Sequence, residues 1–284
     1  MGKFKFRKRG HRVHTEMIDQ DSVPLRAVVP NLVTSCAACC GITSICFASE
    51  GRFLPAMWAL LIAAVCDGVD GRIARLMHAS SKLGAELDSL ADFVNFGVAP
   101  ALFMFFWLTG GPVHEGFSAP VVSVVLGCSL FYAMCDCFRL ARFNTMLEQP
   151  QVPYWKHFFT GVPAPGGCWM VLSPAIIYYA LDAKDTFPAL QELFKNPYFG
   201  SFMLLFVGAL MASRFPTISL KSIHIERKYL PAVMGFLLLM IAFLVSNFWL
   251  TLGIAGFCYI LTVPITAWIF VRVRTKYYAG NNHN

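Results

Sequence analysis

The sequence predicts an all-α, polytopic membrane bundle of about eight transmembrane helices, and three observations carry that prediction. Of the 284 residues, 57% are hydrophobic and only 14% charged, with a mean hydropathy of +0.58; an ordinary soluble domain is far less apolar. Apolar stretches of roughly 17 to 25 residues, long enough to cross a bilayer, can be drawn near 28–48, 53–74, 85–108, 119–141, 160–181, 198–213, 229–246 and 249–271. The sixth is short, and the second and fourth are expected to protrude beyond the bilayer. Finally, of the 23 Lys and Arg, all but Arg52, Lys184 and Lys195 fall on one side of that map. An even number of spans places both termini on the same side, and the positive-inside bias makes that side cytoplasmic. The net charge of +7 therefore reads as membrane orientation and not as a nucleic-acid surface.

Taken in order, residues 1–26 form a basic cytosolic N-terminal segment with Lys3, Lys5, Arg7, Lys8, Arg9 and Arg12. No compact apolar core with a small-residue cleavage site follows closely, so this is not a cleavable signal peptide. Two roles stand open for it, an anionic-lipid contact that sets topology and a plain tail. The first span opens Pro30-Asn31-Leu32-Val33-Thr34. Asn31 and Thr34, three apart, either hydrogen-bond a polar ligand or belong to a Pro-initiated helix whose Thr bonds its own backbone. The ten Cys are scattered through apolar segments. Even the CxxC of Cys36 and Cys39 lacks a second ligand pair and reads as small buried thiols.

The second span runs into DGVDGRIARLMHASSKLGAELDSLAD, residues 67–92. Asp67 and Asp70 are three apart, and Asp88 and Asp92 four apart, so each pair shares a helix face. Two helices can then aim four carboxylates at one point, between two apolar segments where an unpaired charge is costly. Such a cluster repels itself unless cations neutralise it, and an all-oxygen set suits Mg²⁺ or Mn²⁺ better than zinc. Gly71, one turn after Asp67, and Gly84, one turn before Asp88, leave room for a ligand or backbone. Arg75 continues the Asp67 and Gly71 stripe with a forked donor suited to phosphate oxygens. The plainer reading, Asp-Gly as a turn signal, leaves the second carboxylate pair unexplained.

These residues resemble the signature of the CDP-alcohol phosphotransferases, DxxDGxxARx(8)Gx(3)Dx(3)D, at every specified position: Asp67, Asp70, Gly71, Ala74, Arg75, Gly84, Asp88 and Asp92. The resemblance narrows to the phosphatidylserine synthase branch on ELDSLADFVNFGVAPA, FRLARFN, FTGVPAPGG and SRFPTISLK, together spanning most of residues 27 to 228. It implies a CDP-alcohol phosphotransferase core over 27–228, with two additional transmembrane helices and a cytosolic tail over 229–284. It also implies phosphatidyl transfer from CDP-diacylglycerol to L-serine with release of CMP, two divalent ions, an inner-membrane location, and a homodimer. Under it Asp67, Asp70 and Asp88 hold metal, and Asp92 ligates or takes the serine proton. Asn31 to Thr34, Gly71, Arg75, Ser81 and Gly84 position CDP-diacylglycerol. Taken alone, Ser81 is an ordinary helix cap.

Further along, Arg139 and Arg142 sit three apart at the cytoplasmic end of the fourth span. They either snorkel to the headgroups or bind an anion, a lipid phosphate or the serine carboxylate. Asp136, an acid within that span, is expected to pair with Arg139 one turn later. The loop around 142–161, with Pro150, Pro153, Trp155 and His157, is amphipathic enough to lie at the interface, with His157 a headgroup contact. The outer loop from Asp182 to Lys195 reads as neutral. The last two spans carry no signature residues, and Phe236, Phe243, Phe248 and Trp249 read as lipid contacts and interfacial anchors. No P-loop, dinucleotide fingerprint or HExxH motif is present. Other acceptors of the same family (glycerol 3-phosphate, inositol, choline), an Asp-rich membrane prenyltransferase and a cation transporter are the alternatives.

Overall fold

A computed structural model describes residues 25–77, 81–111, 116–147, 158–182, 187–213, 216–218 and 227–281. Most of the basic N-terminal segment and the loop carrying Pro150, Pro153, Trp155 and His157 lie outside the described residues, as do Lys184, Arg214 and Lys221. Helix α1 (Leu25–Ser49) turns back through Gly51, at φ +75°, into α2 (Phe53–Leu76). Small residues let the two helices approach closely: Ala37, Ser44 and Ala48 on α1 and Ala56, Ala59 and Ala63 on α2 are all buried. Ser44 Oγ donates across the contact to Ala56 O at 2.9 Å. Pro30 does not start α1 but lies inside it.

The third span is one continuous run, α3 (Lys82–Asp92), a π-helical stretch (Phe93–Val98) and α4 (Ala99–Leu108). Its wide middle turn follows from Pro100, which has no N–H for the carbonyl four residues back and crowds it. That carbonyl, Phe96 O, instead accepts from Tyr132 Oη at 2.9 Å, deep in the core. Tyr132→Phe orphans Phe96 O, and we expect it to cost about 1–3 kcal/mol, readable as a lower midpoint for thermal inactivation in detergent.

Helix α5 (Ala119–Leu147) supplies Tyr132; α6 (Ala164–Asp182) follows a three-residue strand, β1 (Phe158–Thr160). Within α6, Pro174 again leaves a carbonyl free, and Ser173 Oγ donates to Met170 O at 2.6 Å. Helices α7 (Pro188–Lys195) and α8 (Pro197–Ala212) meet at 62°. The short strand β2 (Pro216–Ile218) then pairs antiparallel with β1, Phe159 opposite Thr217. The main core lies among α4, α5, α6 and α8, around Phe96, Phe103, Trp107, Tyr132, Met170, Leu172 and Leu204.

The segment from Asp182 to Lys195 is not neutral. Lys195 Nζ donates to Trp107 O and sits 4.8 Å from the Trp107 ring centre and 5.8 Å from that of Tyr178, tying α7 to α4 and α6. The last two helices also differ from each other. Helix α9 (Leu230–Ser246) has no buried residue, and its Phe236 and Phe243 are exposed as expected of lipid contacts. Helix α10 (Phe248–Asn281) packs on α6, where a Cβ at Gly256 would come within 2.8 Å of Trp169 O. Phe248 and Trp249 are not free anchors, because both rings pack on Trp58 of α2, at 5.4 Å and 4.8 Å.

The all-helical membrane architecture is as expected, apart from the three-residue strand pair. The count of eight spans is not confirmed. Among the described residues five helices are long and apolar enough to cross a bilayer, with α7 and α8 a sixth if they act as one span. The remaining apolar segments, α9 and the Phe248–Val263 part of α10, are shorter.

Candidate metal centre and substrate cleft

The start of α1, the end of α2, the start of α3 and the end of α5 meet at one end of the bundle. Their junction is fixed by hydrogen bonds between helices. Thr34 Oγ1 lies 2.6 Å from Asp70 Oδ2 and 3.1 Å from Pro30 O, so one hydroxyl reaches both its own backbone and an acid of α2. Asn144 Nδ2 donates to Ser89 Oγ at 3.0 Å, tying α5 to α3. Sequence reasoning had no means to find that pair, because its members lie 55 residues apart.

Asp67, Asp70 and Asp88 each bring one carboxylate oxygen within 4.8 Å of the others. Asp70 is buried, Asp67 intermediate and Asp88 exposed, so the trio runs from the helix interface out to solvent. Asp92 lies one turn beyond Asp88 on α3. Its Oδ1 is buried with no hydrogen-bond partner among the described residues. Carboxylates this close repel unless a proton or cation is shared between them. Several oxygens at single-ion spacing, with an orphaned buried oxygen beside them, fit a hard divalent cation such as Mg²⁺ or Mn²⁺.

Beside the trio opens a cleft of ≈ 190 Å³ lined by Pro30, Asn31, Thr34, Asp70, Gly71, Ala74, Arg75, Ser81, Gly84, Ala85 and Asp88. Gly71 faces open space, and a Cβ there would touch nothing within 4 Å. At Gly84 a Cβ would come within 2.9 Å of Asn31 Oδ1 and 3.1 Å of Ser81 Oγ, so this glycine lets α1 close on α3. Ser81 caps α3, its Oγ accepting from Gly84 N–H at 3.0 Å, and lines the cleft as well. Arg75 Nε donates to Gly71 O at 3.0 Å. Its two outer nitrogens have no partner among the described residues.

Three expected contacts fall elsewhere. Leu32 and Val33 do not line the cleft, because α1 is helical through this stretch and each residue turns the chain by about 100°. Asn31 and Thr34 face inward, while Leu32 is 58% exposed. Arg142 caps α8, donating to Ala212 O at 2.8 Å and Ser213 O at 3.0 Å. Arg139, by contrast, pairs with Asp136, Nε to Oδ1 at 3.3 Å, and stands on α5 between Asp136, which lies against Gly97, and Asn144, which bonds Ser89, level with Asp92.

Thr34 is a supporting hydroxyl for Asp70, and loss of such a partner typically costs 10–100-fold in metal affinity. Thr34→Val should therefore raise the half-saturating metal concentration about tenfold, read from a metal titration of activity.

Fold and site together define a polytopic membrane protein whose acidic side chains converge beside an arginine-bearing cleft at one end of the bundle. The chain belongs to the CDP-alcohol phosphatidyltransferase family, whose model matches residues 27–196. It is a membrane transferase, and its membership of this family sets aside the prenyltransferase and transporter alternatives. Similar proteins include one of Mycobacterium tuberculosis, 32% identical over 238 residues, 84% of this chain and 77% of that one. One of Helicobacter pylori is 32% identical over 245 residues, 86% of this chain and 92% of its own. One of Bacillus subtilis is 31% identical over 147 residues, 51% of this chain and 75% of its own. Each of these relatives is named a CDP-diacylglycerol–serine O-phosphatidyltransferase.

Proposed function

We propose that this chain transfers the phosphatidyl group of CDP-diacylglycerol to the hydroxyl of L-serine and releases CMP. The observation that carries the reading is the convergence of Asp67, Asp70 and Asp88 to within 4.8 Å at the wall of a cleft that also holds Arg75. The names of the relatives support serine as the acceptor.

In this reading Asp67, Asp70 and Asp88 would hold Mg²⁺ or Mn²⁺ as two ions, with Asp92 ligating or standing close enough to take the serine proton. A metal held there would supply positive charge to offset the donor diphosphate and the charge that builds on the departing nucleotide phosphate. Arg75 offers its two outer nitrogens to phosphate oxygens. Asn31, Ser81 and the open backbone at Gly71 and Gly84 position the nucleotide. Asp92 takes the proton of the serine hydroxyl as its oxygen bonds to phosphorus and the bond from phosphorus to the CMP oxygen breaks. Arg139, beside Asp92, receives the serine carboxylate; Arg142 holds the end of α8.

The same reading places the N-terminal and C-terminal ends and the carboxylates on the cytoplasmic face of an inner membrane, with the core over 27–228 and a homodimer as the assembled form. The test is a comparison of acceptors. Purified protein receives CDP-diacylglycerol, Mg²⁺ or Mn²⁺, and labelled serine, glycerol 3-phosphate, inositol or choline. Phosphatidylserine with stoichiometric CMP is the expected product, and preference for any other alcohol would overturn the assignment of serine.

A further inference from the structure

We propose that Asp136 is a positioning residue for the acceptor, holding Arg139 beside Asp92 so that the outer guanidinium nitrogens face the carboxylate of an amino-acid substrate. This rests on the reading of phosphatidyl transfer to serine given above.

Asp136 lies within a helix long and apolar enough to span a membrane, with its side chain 0% exposed. An acid at such a depth is costly unless it is paired or serves a site. Its Oδ1 takes a single bond from Arg139 Nε at 3.3 Å, while Oδ2 has no hydrogen-bond partner among the described residues. A pair serving only stability would favour the two-pronged arrangement, two guanidinium nitrogens on two carboxylate oxygens. Here one nitrogen is engaged, and Arg139 Nη1 and Nη2 have no partner among the described residues. The contact acts as a tether that fixes the guanidinium plane and leaves its outer edge available.

The surroundings hold that tether in place. Gly97, in the π-helical stretch that follows Asp92, lies against Asp136, and a Cβ there would come within 2.8 Å of Oδ2. Tyr132, one turn before Asp136 on α5, fixes the same stretch through Phe96 O. Asn144 ties α5 to Ser89 beyond Arg139. The spacing between α5 and the helix of Asp92 is therefore set above and below the pair, and Arg139, whose side chain is 12% exposed, has little freedom to leave.

The test uses the full chain in detergent micelles containing CDP-diacylglycerol, with serine and ethanolamine as rival acceptors. Ethanolamine keeps the hydroxyl and the ammonium but lacks the carboxylate. Asp136→Asn should raise KM for serine about tenfold, the size expected for a lost charged hydrogen bond, with KM for CDP-diacylglycerol within about twofold. The preference for serine over ethanolamine in kcat/KM should fall by the same factor. Because that ratio is internal to each preparation, partial loss of folded protein does not move it. If Asp136→Asn cannot be purified, Arg139→Lys, which keeps the charge but not the fork, decides by the same ratio. An unchanged ratio with lower kcat, or equal rises in both KM values, would leave Asp136 a purely structural residue. Failure of the wild-type protein to use serine at all would remove the reading of function and this inference together.

Discussion

Asp92→Asn abolishes phosphatidyl transfer while CDP-diacylglycerol still binds: that is the expected result if Asp92 takes the proton of the attacking hydroxyl. The substitution keeps the shape of the side chain and removes its ability to accept a proton at neutral pH. Positioned acid and base groups contribute about 10²–10⁴-fold, so kcat should fall by at least that much. Binding of the donor is spared because Asp92 is not among the residues lining the cleft, where Asn31, Gly71, Arg75 and Gly84 stand. Its buried Oδ1 has no partner to lose among the described residues, so the folded protein should tolerate the amide. Steady-state rates with serine, alongside equilibrium binding of CDP-diacylglycerol to the same preparation, check both halves. Full activity in Asp92→Asn would remove the assignment of the base, and equal loss of donor binding would reassign Asp92 to metal retention.

The carboxylate trio was legible in the sequence because helical spacing alone brings Asp67 to the side of Asp70 and the apolar flanks leave charged groups few places to go. The glycines were legible for a related reason: one turn from an acid, a missing side chain is either open space, as at Gly71, or a close approach, as at Gly84. The block Asn31 to Thr34 divides on the helix, since a helix that faces a cleft with residues three apart turns the side chains of Leu32 and Val33 away from it. The π-helical stretch had a signal that went unread, Pro100 four residues after Phe96, but the hydroxyl that answers it comes from Tyr132, 36 residues on. The cap of Arg142 on α8, reaching 70 residues to Ala212 O, depends likewise on packing that no local pattern encodes. Hydropathy marked the apolar segments but not the 62° bend between α7 and α8, nor that α10 would pack on α6 while α9 stayed exposed.

Asp70→Asn should raise the metal concentration needed for half-maximal activity by more than any other change to the trio, about 100-fold at the upper end of what even supporting partners cost. Asp70 is the buried member of the three, so a lost charge there is least compensated by water. It is also the acid held by Thr34 at 2.6 Å. An amide at this position can turn its nitrogen toward the neighbouring acids or toward the Thr34 oxygen, and either choice spoils one contact. Asp88, exposed at the rim, lacks that constraint, and Asp88→Asn should shift the midpoint less. The readout that separates metal binding from chemistry is a titration with Mg²⁺ or Mn²⁺. If the cluster holds the ion, Asp70→Asn recovers a large part of its rate at high metal, whereas Asp92→Asn does not. The two variants responding alike to added metal would mean that Asp92 and Asp70 share one role, and the division of labour between base and ligands would be wrong.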